Sequence, residues 1–420
     1  MLNPEIIRKN PDMVRKNTAE RNMDPALVDA WLQKDAERKK TLADVEDLNR
    51  KKNELANMGK QGVDVETIRA QGKEVKEASV KLEESLKTVE EEWLTLINQI
   101  PNLHLPDVKI GKTDTENEVA REVGEKPKFD FEPKDHFTLG TELGLLDFES
   151  GAKVAGSQFY FLKGDAVLLE FALIQFGLEI LQSKGFQLVS TPDLAKSRYY
   201  LGTGYAPRGD EAQIYEIEGE DLGLIATAEV TMAGMHADEV LNLEQLPLKY
   251  AAISHCFRKE AGAYGKYSKG LYRVHQFTKL EMFVYCEPGQ SEAIHQELLA
   301  VEEEIAQQLG IPYRVLNMCS GDLGASAAKK YDLEAWLPGR NDYGEITSTS
   351  NCTDFQARNL NIKYRNEEGK NDFAHMLNGT AIVMSRFPIA IMENYQQADG
   401  TIKIPEVLRK YFGNREFIGK

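Results

Sequence analysis

Two stretches carry ionisable side chains where strand alternation would gather them. Phe257-Arg258-Lys259-Glu260 ends one run, and His275-Gln276-Phe277-Thr278-Lys279-Leu280-Glu281 lies on the next. Successive strand residues face opposite sides, so His275, Phe277, Lys279 and Glu281 share one face. A face bearing an aromatic ring and three ionisable groups is not packed into an apolar core. It is either a binding surface or a solvated sheet face laced with ion pairs. Arg386, within Ile382-Val-Met-Ser-Arg-Phe-Pro-Ile-Ala-Ile391, is flanked by apolar residues and must find an anionic partner or reach solvent. A salt bridge to a core carboxylate is the alternative. Glu345-Ile-Thr-Ser-Thr-Ser-Asn-Cys352 puts a carboxylate and several hydroxyls on one short strand. Hard oxygens of this kind suit Mg²⁺, and a polar edge strand has the same composition. No P-loop or Gly-x-Gly-x-x-Gly turn is present, so a nucleotide bound here is held by another design.

These residues need strands to hold them. Leu248 to Arg258 and Leu271 to Cys286 read as an antiparallel pair joined by the Gly- and Lys-rich segment Lys259 to Gly270. Val167 to Lys184 is a helix stopped by Gly185, and Phe186 to Ser190 a strand running into Pro192. Glu292 to Leu309 is an amphipathic helix, and Gly379 to Asn394 a strand crossing into a helix. Antiparallel strands mixed with helices give α+β, not a doubly wound sheet.

Toward the amino terminus the pattern changes. Val65, Ile68, Gly72, Val75, Ser79, Leu82, Leu86, Val89, Trp93, Leu96 and Ile100 repeat at spacings of three and four, with mostly charged residues between. Such a helix runs about 54 Å at roughly 1.5 Å per residue. Its apolar stripe is too thin to be stable alone. Pro25 to Met58 supplies a partner through Leu27, Trp31, Leu42, Val45, Leu48 and Leu55, with a turn at Gly59-Lys60-Gln61-Gly62. The expectation is an antiparallel helical hairpin with a short leading helix, residues 1–104. A Pro/Gly/Asp/Glu-rich linker follows at 105–128, and one large domain at 129–420.

At 420 residues the chain has ample core. Its net charge of −16 argues against nucleic-acid binding only on average. From Arg50 to Lys81 there are eight basic residues (Arg50, Lys51, Lys52, Lys60, Arg69, Lys73, Lys76, Lys81) against five acidic ones. From Leu82 to Ile100 five glutamates face Lys87 alone. The hairpin tip is basic and its root acidic, as a phosphate-binding arm requires and as a merely solvated coiled coil also permits. Cys256, Cys286, Cys319 and Cys352 form no Cys-x-x-Cys pair and read as reduced thiols in a cytoplasmic protein. Met1 to Asn17 lacks a secretory apolar stretch, and Ala166 to Leu181, interrupted by Glu170 and Glu179, reads as too short to span a membrane.

In order and spacing the pieces resemble the seryl-tRNA synthetases of bacterial type, class II aminoacyl-tRNA synthetases, nearly end to end. Met1-Leu2-Asn3 through Ile7-Arg8-Lys9-Asn10-Pro11 is similar to that family's opening. The charged hairpin resembles its tRNA-binding arm. Pro127-Lys128-Phe129-Asp130-Phe131 and Leu145-Leu146-Asp147-Phe148-Glu149 resemble the entry to its catalytic domain. Thr227-Ala228-Glu229 resembles the serine-binding element, and Phe257-Arg258-x-Glu260 motif 2. Asn378-Gly379-Thr380, Arg386 and Glu393-Asn394-Tyr395-Gln396 resemble motif 3.

The resemblance implies an antiparallel six- or seven-stranded sheet and an ATP-dependent serine–tRNA ligase acting through seryl-adenylate. It implies Arg258 and Arg386 as catalytic. ATP would be bound by Arg258, Lys259, Glu260, Val274, Phe277, Glu345, Ile346, Thr347, Ser348 and Arg386. Arg258 would hold the α-phosphate and the serine carboxylate, Glu260 the adenine amino edge. Phe277 and Arg386 would cover the two adenine faces, Arg386 also reaching the γ-phosphate. Glu345 and Ser348 would hold Mg²⁺. Thr227, Ala228, Glu229, Arg258, Glu281, Asn378 and Thr380 would bind L-serine, with Glu281 and Thr380 near its hydroxyl. Arg50, Lys51, Lys52, Lys60, Arg69, Lys73, Lys266 and Lys269 would contact serine tRNA, with selenocysteine tRNA left open. A homodimer is implied, built on the helix and strand from Val167 to Pro192, with no membrane partner. The chain departs from the family pattern at Lys266 and Lys269, where arginines are common, and at Ala381 and Ser385, where glycines are. At Gly151 it departs the other way, where alanine is common. Two rivals are a serine-activating protein that loads a carrier, which the intact hairpin disfavours, and a non-catalytic coiled-coil protein. Retention of Arg258, Glu260, Glu281, Glu345 and Arg386 disfavours the second.

Overall fold

The computed structural model describes residues 1–58, 65–205, 214–260 and 269–419. The expected turn at 59–62, Lys60 and Lys266 lie outside the described residues. The chain divides into two compact units, Met1–Leu103 and His104–Lys420.

In the first unit, Asn10-Pro11 splits the leading segment into two helices, α1 (Pro4–Lys9) and α2 (Pro11–Glu20), rather than one. Proline opens each, where its missing N–H is not needed. Helices α3 (Ala26–Met58) and α4 (Val65–Gln99) run antiparallel, as the ion pairs Lys34–Glu92 at 2.6 Å and Arg38–Glu90 at 2.8 Å show. Ser79, Val89 and Ile100 of the seam are buried, and Gly72, Val75, Leu82, Leu86, Trp93 and Leu96 partly so. At the root, Trp31, Ile97 and Ile100 pack with Leu2, Ile7, Val14 and Val28.

Buried Asp35 interrupts this apolar stripe. Arg8 grips it in bidentate fashion at 2.6 and 2.8 Å, Lys39 lies at 3.0 Å, and Trp93 Nε1 donates to it at 3.0 Å. Burial raises the carboxyl's pKa, but the hydrogen bonds from Arg8, Lys39 and Trp93 outweigh it and hold the group below the ordinary carboxylate range. Asp35→Ala leaves Arg8 with only the more exposed Glu5 as its anionic partner, at 2.6 Å, and takes the acceptor from Trp93 Nε1, so it is expected to destabilise this unit by about 2 kcal/mol at pH 7. Because the folded-state pKa is depressed, the stabilisation is complete above about pH 4 and is lost as pH falls below it. Urea unfolding followed by tryptophan fluorescence checks both: the gap between wild type and variant narrows below about pH 4.

The second unit is built on an eight-stranded sheet, one strand more than the resemblance implies. Its strands are β1 (Glu118–Val123), β2 (Gln187–Ser190), β3 (Leu248–Phe257), β4 (Gln276–Cys286), β5 (Tyr313–Asn317), β6 (Lys329–Leu337), β7 (Asp342–Asn351) and β8 (His375–Val383). The order is β1-β5-β6-β7-β8-β4-β3-β2, antiparallel throughout except that β2 joins β3 in parallel. The stretch read as a linker therefore supplies β1, paired with β5 at one edge. Five of its six residues are exposed, so no alternation marks it in the sequence. The flanking helices are α5 (His136–Glu142), α6 (Asp165–Ser183), α7 (Ala228–Gly234), α8 (Ser291–Gln308), α9 (Phe355–Leu360) and α10 (Phe387–Asn394).

Strand β4 shows how the layers form. Leu280, Met282 and Val284 point into a core shared with Leu173, Phe176 and Leu181 of α6 and Leu298 and Ile305 of α8. On the other face Phe283 and Tyr285 join a second cluster with Ala228 and Met232 of α7, while Phe277, Lys279 and Glu281 line an open cleft. Helix α6, at 19 residues, is long and apolar enough to cross a membrane, contrary to expectation, yet its Leu169, Leu173, Phe176 and Leu181 are buried in this core. All four cysteines are buried, and none is in a disulfide.

Candidate active site

The cleft occupies about 500 Å³ over the polar face of β4, β7 and β8. Strand β3 carries Arg258 to its rim, and β4 supplies Phe277, Lys279 and Glu281. Strand β8 supplies Asn378, Thr380 and Val383, and Arg386 stands at the start of α10. His275 precedes β4 and does not share that face with the others: its Nδ1 pairs with the Arg258 carbonyl at 2.9 Å, bracing the hairpin.

Two β-bulges aim these side chains. Glu345 pairs with Glu334 and Thr347 with Leu333, leaving Ile346 unpaired. In a regular strand Glu345 and Ser348 would face opposite sides. The extra residue returns them to one side, and both line the cleft. On β8, Thr380 pairs with Glu281 and Ile382 with Leu280, leaving Ala381 as the extra residue. That shift turns Ile382 into the core and Val383 toward Cys256, Val274 and Phe277. Ala381 has no positive φ, so a side chain is tolerated where glycine is common. Ser385 is buried along the cleft wall. At Gly151 a Cβ would lie 2.3 Å from the Phe159 carbonyl oxygen, which explains the glycine there. Glu260 holds a left-handed backbone at φ 48° and pairs with Arg273 at 3.3 Å. A non-glycine residue in that region is strained, as binding residues often are.

Charges divide the cleft into two halves. In one, Arg386 pairs with Glu345 at 2.9 Å, and its guanidinium lies 5.0 Å from the Tyr272 ring. Burial raises the Glu345 pKa, but Arg386, Lys330 and Arg258 outweigh it and keep the carboxylate ionised. Arg258 sits 5.3 Å from the Phe277 ring and donates to the Ala226 carbonyl at 3.3 Å. In the other half, Lys279 pairs with Glu281 at 2.6 Å, and Thr380 Oγ1 donates to Glu281 at 3.2 Å. Glu229 accepts from Gln356 at 2.7 Å, Asn378 at 3.0 Å and Tyr205 at 3.0 Å. Burial, then repulsion from Glu281, pushes Glu229 up to about 7.

Of the residues singled out in the sequence, Arg258, Glu260, Val274, Phe277, Glu345, Ile346, Thr347, Ser348 and Arg386 meet here with Glu229, Glu281, Asn378 and Thr380. Thr227 and Ala228 do not line the cleft. Both are fully buried, and Thr227 caps α7 by accepting from the Glu229 N–H at 3.2 Å. Lys259 is exposed beside the Tyr215 ring, 5.8 Å from its centre. Sequence reasoning missed Tyr205, Tyr272, Lys330 and Gln356 as site residues. No local pattern marks them; each arrives from a different element, Gln356 from helix α9 and Lys330 from strand β6. On the arm, Arg50, Lys51, Lys52, Arg69 and Lys73 are all exposed. Lys269 rests on the Phe137 ring at 4.2 Å.

Among the described residues no three His, Cys, Asp or Glu side chains cluster as a metal cage. One ionised carboxylate beside a serine hydroxyl nevertheless fits Mg²⁺, which keeps most of its ligands as water and substrate phosphate.

Residues 1–104 match the seryl-tRNA synthetase N-terminal domain, and residues 214–395 the tRNA synthetase class II core domain (G, H, P, S and T). The chain is 50% identical to the serine–tRNA ligase of Treponema denticola over 418 residues, 98% of this chain and 99% of that one. It is also 50% identical to that of Rubrobacter xylanophilus over 422 residues, 100% and 99% of the two chains. Its fold is similar to seryl-tRNA synthetase from Pyrococcus horikoshii complexed with ATP, with a TM-score of 0.90, 40% identity and 100% and 99% coverage. The cytoplasmic serine–tRNA ligase of Naegleria fowleri with AMP gives 0.84 at 35% identity, covering 100% and 98%.

Proposed function

The chain belongs to the seryl-tRNA synthetase family, and on that footing we propose that serine and ATP meet in the cleft over β4, β7 and β8. The activity is ATP-dependent ligation of L-serine to serine tRNA through seryl-adenylate, with release of AMP and pyrophosphate. The half lined by Arg258, Phe277, Glu345 and Arg386 takes ATP. The half lined by Glu229, Glu281 and Thr380 takes serine. The observation that carries this division is the Thr380–Glu281–Lys279 chain within reach of the same cleft as both arginines.

The charges balance. Lys279 offsets one of the two carboxylates, leaving one net negative charge for the serine ammonium, while Arg258 meets the serine carboxylate. Attack of that carboxylate on the α-phosphorus builds negative charge that Arg258 and Arg386 stabilise, so no protein nucleophile is needed. Glu345 and Ser348 would hold Mg²⁺, which adds positive charge to the phosphates. Alanine and glycine leave Glu281 and Thr380 without the substrate hydroxyl, a large penalty in a buried site. The extra methyl of threonine is disfavoured by only about 1–3 kcal/mol.

Glu229 supplies the test. With its pKa near 7, the free enzyme gains the carboxylate that accepts the ammonium as pH rises through 7. The kcat/KM for serine in ATP–pyrophosphate exchange is expected to climb from pH 6 to 8, and Glu229→Gln to lower it by about tenfold or more and flatten the profile. An unchanged slope in the variant removes Glu229 from serine binding.

The exposed arm lysines and arginines would meet tRNA phosphates, reading shape more than sequence. A homodimer is supported by Leu168 at 44% and Phe171 at 64% exposure on α6, beside Leu188 at 40% on the edge strand β2. A monomer mass by light scattering would remove it. Four buried cysteines outside any disulfide support a cytoplasmic setting.

A further inference from the structure

One buried carboxylate outside the cleft holds both flanks of a cleft-lining ring. Glu393, on α10 and 1% exposed, accepts from the backbone N–H and from Nδ1 of His136 at 3.0 and 2.8 Å through one oxygen. Its other oxygen accepts from the Gly339 N–H at 2.9 Å. The far nitrogen of His136, Nε2, takes the Leu271 N–H at 3.1 Å. A backbone N–H can only donate, so Nε2 is the accepting nitrogen and Nδ1 the donor. Next to Leu271 is Tyr272, and next to Gly339 is Arg340. The Tyr272 ring carries two guanidinium groups, Arg340 at 4.0 Å and Arg386 at 5.0 Å from its centre. Gly270, at φ 83°, has no room for a side chain: a Cβ would lie 2.2 Å from His136 Nε2. The backbone is thus built to bring the chain onto this histidine.

We propose that the His136–Glu393 pair is a positioning device for ATP: it fixes the chain at Leu271 so that Tyr272 holds Arg386 at the phosphate end of the cleft. Neither residue touches substrate. The pair acts through Leu271 and Tyr272, and the argument rests on the assignment of Arg386 to ATP. A buried polar network satisfied at every member specifies one geometry, and a small misplacement of a phosphate-binding group is enough to slow the reaction.

Two substitutions separate the two bonds of the ring. In His136→Asn the side-chain amide can still donate to Glu393 but cannot reach Leu271. In His136→Gln the longer side chain can accept from Leu271. Serine-dependent ATP–pyrophosphate exchange by the full chain is measured for each, at a temperature where its circular dichroism is native. The expected result is that His136→Asn raises KM for ATP about tenfold with KM for serine within about twofold, while His136→Gln stays within about threefold of wild type on both. In a Tyr272→Leu background, His136→Asn should have no further effect, because its path is already cut. Equal losses in the Asn and Gln variants, equal rises in both KM values, or losses that multiply with Tyr272→Leu would each overturn the proposal. An Arg386→Ala variant with unchanged KM for ATP and kcat would instead refute the assignment of Arg386, which keeps the two failures distinct.

Discussion

Arg386→Ala is expected to lower kcat/KM for serine-dependent ATP–pyrophosphate exchange by about 10²–10³. The guanidinium is taken from solvent, which disfavours its charge, yet Glu345 keeps it fully protonated. A fixed cation in a partly desolvated cleft stabilises developing phosphate charge without reorganising, which is why a single group weighs so much. Arg386→Lys keeps the charge but neither the planar contact with Tyr272 nor a bidentate fork, so an intermediate loss is expected. Truncation also leaves Glu345 without its partner, so a parallel measurement of thermal stability separates a misfolded site from a disarmed one. Exchange within about threefold of wild type would deny Arg386 any catalytic part.

The second large effect belongs to the arm. Splicing Leu42 to Leu86 through a short Gly/Ser turn removes Arg50, Lys51, Lys52, Arg69 and Lys73. It keeps the root, with Asp35–Trp93, Arg38–Glu90 and the packing of Trp31 on Ile97 and Ile100. Charging of serine tRNA is expected to fall by about 10³ at physiological salt, as loss of several phosphate contacts implies, with ATP–pyrophosphate exchange within about twofold. Labelled serine recovered on tRNA, against exchange in the same preparation, measures both. Comparable charging by intact and shortened proteins would leave the arm without its role. The splice is better chosen than removal of residues 30–100, which would take Trp31, Ile97 and Ile100 out of the core.

What the sequence discloses and what it hides follow from the range of the interactions. The arm is legible because its seam repeats locally, and strand β4 because alternation puts Phe277, Lys279 and Glu281 together within five residues. Asp35 is hidden: an acid inside an apolar stripe reads as solvent-facing until Arg8, 27 residues away, is seen to grip it. Glu345 and Ser348 are three apart, a spacing that strand periodicity assigns to opposite faces. Only the bulge at Ile346, a feature of pairing with β6, brings them round. The six residues of β1 lack any pattern because an edge strand packs almost nothing. Gln356 and Tyr205 reach Glu229 from segments 127 and 24 residues distant. The cleft's second layer is tertiary, and no spacing rule reports it.

The central claim is that one cleft holds serine and ATP end to end, with the arginines at the point of attack. The most direct test is a crystal structure of the protein with a non-hydrolysable seryl-adenylate analogue. The account predicts the adenine against Phe277, the bridging group at Arg258, the ammonium at Glu229 and the hydroxyl at Glu281 and Thr380. An analogue bound with its seryl end away from Glu229 and Glu281, or outside this cleft, would contradict it.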